Sequence, residues 1–172
     1  MRSQKEFIEF CDLVHEQAKN WWVDPININT GELIALIHSE VSEVWNAYAI
    51  ELMDDDLPHR HGVEVKVADV VIRLGYFIVG KGLSPADVWR EKPREKVKAS
   101  AVRLIDMHSG LSKCLEGYRK SDNEDIIKGL SIVLLESLCV CNNLSLDIDE
   151  AIKEKMEYNV KRADHKLKGT GK

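Results

Sequence analysis

Ile37-His-Ser-Glu-Val-Ser-Glu-Val-Trp-Asn-Ala-Tyr48 and Met107-His-Ser-Gly-Leu-Ser-Lys-Cys-Leu-Glu-Gly-Tyr118 share His, Ser, Ser and Tyr at a constant offset of 70. Where the first stretch has Glu40 and Glu43, the second has Gly110 and Lys113. An acid pair kept in one copy and absent from the other marks a candidate site, on the premise that packing alone does not need the difference. The repeat divides the chain into two related halves, 1–98 and 99–172, within one compact unit.

Helix punctuation surrounds these stretches. Ser3 with Glu6, Asn29 with Glu32, and Ser121 with Glu124 read as capping pairs, in which a side chain satisfies the free amides of a first turn. Ser84-Pro85 gives a cap followed by proline at the first helical position, and Gly82 suits a helix end. Leu33, Ile37, Val41, Val44 and Tyr48 form one apolar stripe, predicting a helix over roughly 30–53. A second helix over roughly 63–81 is apolar on two faces, which makes it central, and its polar strip is Lys66, Asp69 and Arg73. No segment alternates with a two-residue period, so no β-sheet is expected.

The pattern recurs beyond the first stretches. Leu83-Ser84 followed by Glu91-Lys92 is matched by Leu144-Ser145 followed by Glu154-Lys155. Each half therefore reads as long helix, loop, long helix and short terminal helix. The expected fold is an all-α bundle whose two repeats are related by a pseudo-twofold, with polar sites between facing helices.

Composition narrows the classes. The chain has 172 residues, of which 44% are hydrophobic and 31% charged, as in globular proteins. A net charge of −5 argues against a polymeric nucleic acid as partner, although Lys161, Arg162, Lys166, Lys168 and Lys172 make a basic end, read as solvated. No apolar run approaches the ~20 residues of a membrane span. Cys11, Cys114, Cys139 and Cys141 are scattered, without ligand spacing, and read as buried free thiols of a cytoplasmic protein.

Glu40 and Glu43 lie one turn apart on a helix face, and Asp69 sits on the neighbouring central helix. Three hard oxygen donors inside a bundle suit Mg²⁺ or Mn²⁺, with phosphates and water completing the octahedron. In the bland alternative, Asp69 pairs with Arg73 and the glutamates are solvated. Near the C-terminus, Lys155, Asn159 and Arg162 share one helical face able to contact phosphate oxygens, or serve simply as a basic helix end. Trp21 and Trp22 could wall a base pocket or pack in the core. The run Asp54-Asp55-Asp56 reads as a solvated loop, with help in holding a metal as the alternative, and His38 and His108 as partners in capping or interhelical hydrogen bonds.

Three stretches, Leu36-Ile-His-Ser-Glu-Val-Ser-Glu43, Gly62-Val-Glu-Val-Lys-Val-Ala-Asp-Val-Val-Ile-Arg73 and Ala151-Ile-Lys-Glu-Lys-Met-Glu-Tyr-Asn-Val-Lys-Arg162, resemble the MazG-like proteins. These are all-α nucleoside triphosphate pyrophosphatases. The resemblance implies that Glu40, Glu43 and Asp69 hold Mg²⁺ (or Mn²⁺), with Glu40 or Glu43 as catalytic base. It implies that Lys155 and Asn159 hold the triphosphate, to which the residue reading adds Arg162 on the same helical face and Trp22 against the base. The first acid of the family's Glu-x-x-Asp helix is here Lys66. Glu64 is the remaining candidate ligand, but it stands about 140° around a straight helix from Asp69. Because only the first half keeps the acids and only the second keeps Lys-x-x-x-Asn, one composite site per chain is expected, in a monomer or homodimer. The alternatives are an attenuated nucleotide-binding or regulatory member, with Lys66 in place of a metal ligand, and a purely structural helical protein.

Overall fold

The computed structural model describes residues 1, 3–18, 27–90 and 98–161. Its helices are α1 (Gln4–Ala18), α2 (Thr30–Ile50), α3 (Gly62–Gly80), α4 (Pro85–Val88), α5 (Ser100–Lys120), α6 (Asn123–Asn143) and α7 (Ile148–Lys161). Among the described residues there is no strand, and Met53 and His61 form an isolated antiparallel bridge in the loop joining α2 to α3. The protein is all-α.

The caps explain most helix starts. Asn29 Oδ1 accepts the amides of Gly31 and Glu32, and Ser3 Oγ accepts the amide of Glu6. At α6 the expected cap is displaced by one residue. Ser121 takes a left-handed conformation (φ 57°) that closes α5, and Asp122 accepts the amides of Glu124 and Asp125. Gly82 (φ 68°) closes α3, with its amide donating to the Val79 carbonyl.

α3 packs against α1, α2, α4, α6 and α7, as its two apolar faces require. Of its 19 residues, Lys66, Asp69, Arg73 and Val79 alone escape full burial. Helices α2, α3, α6 and α5 touch in cyclic order and close a four-helix core. Across the α2–α5 seam, His38 Nδ1 and His108 Nδ1 are 2.8 Å apart, with ring centroids at 5.1 Å and planes 14° apart. The rings meet head-on, so one imidazole donates an Nδ1 proton to the other. This is the interhelical bond expected of the repeated histidines.

Elsewhere the two halves pack differently. A Cβ placed on Gly110 would stand 2.8 Å from the Gly129 carbonyl oxygen, and one on Gly129 would collide with Cys114 and with the Gly110 carbonyl. Helices α5 and α6 therefore touch backbone to backbone, and nothing larger than glycine fits at 110. The premise that packing is indifferent to the Glu40/Gly110 exchange is corrected: close helix approach excludes a side chain at that point. Lys113 instead pairs outward with Asp125 at 2.7 Å.

Gly110→Ala should destabilise the chain by about 2 kcal/mol through overpacking. Gly82→Ala, strained in φ but with nothing within 4 Å of the new methyl, should cost about 1 kcal/mol. Urea denaturation checks the order, and an equal or smaller loss for Gly110→Ala contradicts the backbone-contact geometry.

Candidate active site

The polar strip of α3 is where the two halves meet chemically. Lys66, Asp69 and Arg73 recur at helical spacing and emerge on one side of an otherwise buried helix. Glu40 and Glu43 of α2 face them from one side. Arg73 Nε donates to Glu40 Oε1 at 2.6 Å, and Lys66 Nζ lies 3.1 Å from Glu43 Oε2. Arg73 thus joins Glu40 rather than serving only as an i+4 partner for Asp69. On the other side, α7 delivers Lys155, whose Nζ is 3.2 Å from Asp69 Oδ2. Asn159, one turn further on, is likewise buried.

The loop between α2 and α3 completes the cluster: Asp55 is exposed as expected, but Asp54 is buried and Asp56 half-buried. Asp54 is 3% exposed, and its Oδ1 accepts the amides of Asp56 and Leu57. Its Oδ2 is buried without a hydrogen-bond partner, 3.6 Å from Lys66 Nζ. Asp56 accepts from Lys155 Nζ at 2.7 Å and from the Tyr158 hydroxyl at 2.8 Å. Glu154 anchors the same loop by accepting from Arg60 Nε (2.8 Å) and pairing with His59 Nε2 (2.7 Å). The signal for Asp56 and Tyr158 in the sequence was limited to an acid run between two acid-bearing helices and a Tyr beside Asn159.

Five carboxylates, those of Glu40, Glu43, Asp54, Asp56 and Asp69, thus share three chain cations, Lys66, Arg73 and Lys155. Burial pushes the Asp69 carboxyl up to about 6, against the pull of Lys155 and with added repulsion from Glu40. Burial opposes the charge on Lys66, but Glu43, Asp54 and Asp69 hold its ammonium above the ordinary range. Lys155 behaves alike, with Asp69 and Asp56 outweighing desolvation.

Glu64 is directed elsewhere. Its Oε1 accepts the Asp147 amide at 2.6 Å, just before α7, and its Oε2 lies 3.3 Å from Arg60 Nη1. It holds the start of α7 and does not join Asp69 as a candidate ligand would. Trp22 and Arg162 lie outside the described residues, as do Trp21 and most of the basic end. The apolar groove between α1 and α7, lined by Phe10, Leu13, Ile152, Met156 and Val160, shares no residue with the cluster. None of the four cysteines is in a disulfide; Cys11, Cys114 and Cys141 are buried, Cys139 is half-buried rather than buried as expected, and burial pushes Cys11 and Cys114 up to about 12.

The donors are hard oxygens suited to Mg²⁺, and Asp54 Oδ2, which has no hydrogen-bond partner, already faces the Lys66 ammonium at 3.6 Å. Among the described residues, however, no three Asp, Glu, His or Cys side chains form an assembled metal cage. Chain cations stand against the acids instead, so a divalent ion would have to displace Lys66 or Arg73 from at least one of them. Comparison of the chain with protein-family models, curated proteins and solved structures returned no match.

The raised Asp69 pKa fixes a sign. An acid with a higher pKa folded than unfolded stabilises the fold most below its unfolded value, near 3.8, and the benefit is lost as pH rises through about 6. Relative to wild type, Asp69→Asn should therefore gain about 2 kcal/mol of stability between pH 4 and pH 7. Urea midpoints at the two pH values check this, and a pH-independent difference contradicts it.

Proposed function

We propose that the chain is a Mg²⁺- or Mn²⁺-dependent nucleoside triphosphate pyrophosphohydrolase, built from two divergent MazG-like repeats and releasing a nucleoside monophosphate and pyrophosphate. The observation that carries the reading is the 3.2 Å approach of Lys155 on α7 to Asp69 on α3. It joins the acid motif of one half to the Lys-x-x-x-Asn motif of the other, as a composite site requires. The pseudo-twofold draws support from the head-on His38–His108 pair, whose members are equivalent in the repeat, and from the cyclic packing of α2, α3, α6 and α5.

In this reading the carboxylates of Glu40, Glu43 and Asp69 form the cation side of the site, and Glu64 serves α7 docking. A bound divalent ion supplies charge neutralisation and a more acidic water. Glu40 or Glu43 takes the proton of the water that attacks the α-phosphorus, and the bond to the β-phosphate oxygen breaks. Lys155 and Arg162 offset the charge on the departing pyrophosphate, Asn159 fixes a phosphate oxygen, and Trp22 stacks on the base. The proposal is of a cytoplasmic monomer or homodimer acting on a free nucleotide.

A second reading is favoured by Lys66, whose ammonium lies within 4 Å of both Glu43 and Asp54. A tethered cation there could replace a metal and leave an attenuated protein that binds nucleotide without turning it over.

Pyrophosphate release from a panel of ribo- and deoxynucleoside triphosphates tests the proposal. Release should require Mg²⁺ or Mn²⁺, and Glu40→Ala and Lys155→Ala should each lower kcat/KM by about 100-fold or more. Full metal-dependent activity in Lys155→Ala contradicts the composite site. Thermal stabilisation by nucleotide without product identifies the second reading, and Lys66→Glu should then restore activity.

A further inference from the structure

Lys155 is 3% exposed at its side chain and is held by two carboxylates of unequal accessibility, Asp69 at 15% and Asp56 at 29%. Asp56 is the outer of the two. Its carboxylate presents two negatively charged acceptor oxygens to an ammonium and a phenol hydroxyl, the arrangement a phosphate oxygen would meet on the same donors. Tyr158 also lies under the ammonium, with Nζ 5.4 Å from the ring centroid, so the two donors converge from one turn of α7.

We propose that Asp56 is a resident surrogate for a substrate phosphate: it occupies Lys155 and Tyr158 in the free protein and leaves them when a polyphosphate arrives. Tyr158 thereby becomes a phosphate-binding residue alongside Lys155. This inference rests on the reading of Lys155 as a phosphate ligand.

The loop backbone is held by contacts that do not involve the Asp56 carboxylate. The Asp56 amide donates to Asp54 Oδ1, Met53 bridges to His61, and Arg60 is clamped on Glu154. These contacts fix the backbone, while the Asp56 carboxylate is held by the α7 donors. Those donors keep its carboxyl below the ordinary range although burial pulls the other way, so it is charged near neutral pH and competes as an anion. Leaving Lys155 also removes a negative charge from the path of the incoming phosphate.

The test is calorimetric titration of inorganic tripolyphosphate in the presence of Mg²⁺. Asp56→Asn, which removes the competing charge, should bind about tenfold tighter than wild type, and the gain should vanish when Lys155→Ala is added. Asp56→Ser provides the same reading where the first variant loses helicity. Binding by Asp56→Asn and Asp56→Ser no tighter than wild type, with Lys155→Ala still weakened, overturns the surrogate role and leaves the proposed function standing. Lys155→Ala binding as tightly as wild type, or no binding by any form, overturns both.

Discussion

A buried ammonium governs this molecule. Lys155 can remain charged at 2% exposure only because Asp69 and Asp56 stand beside it, since an isolated buried charge costs several kcal/mol. The pairing is therefore a constraint as much as an attraction. It obliges α7 to lie along the polar strip of α3, and it draws the loop between α2 and α3 underneath. Glu154 with Arg60, and Glu64 with the Asp147 amide, hold the same junction from either side. A negative excess remains after the chain's own cations are counted, which is the electrostatic condition for recruiting a further cation.

The two halves solve the same packing problem in different ways. Helices α5 and α6 close on each other backbone to backbone at Gly110, Gly117 and Gly129, while a buried Arg103–Glu136 ion pair at 2.6 Å joins them further along. Helices α2 and α3 carry Glu40, Glu43, Lys66 and Arg73 across their contact, which holds those helices in place through ion pairs. The polar cluster forms where α7 returns to the polar strip of α3.

Much of this was legible beforehand, for identifiable reasons. Capping residues and the 3.6-residue period act locally, so α2 and α3 fall within a few residues of their predicted ranges, and α3 is buried where its two apolar faces required. The polar strip of α3 and the angular separation of Glu64 from Asp69 follow from helix geometry alone. The pairing of Asp54 with Lys66, and of Asp56 with Lys155 and Tyr158, was not legible. An acid run in a loop has no period, and its burial depends on Lys155 and Tyr158, roughly a hundred positions away. The Ser121 cap failed because two neighbouring residues competed, and Asp122, with a carboxylate, took the amides. The meaning of Gly110 was also hidden, because backbone contact between helices leaves no mark beyond the glycine itself.

The central claim is that acids from the first half and cations from the second form one pocket for a metal-bound polyphosphate. Crystals grown with Mn²⁺ and a non-hydrolysable α,β-imido nucleoside triphosphate address it directly, through the anomalous signal of the metal. The manganese peak is predicted among the carboxylates of Glu40, Glu43 and Asp69, with a phosphate oxygen on Lys155 Nζ. A metal bound elsewhere, or a triphosphate that leaves Lys155 untouched, would contradict the shared pocket.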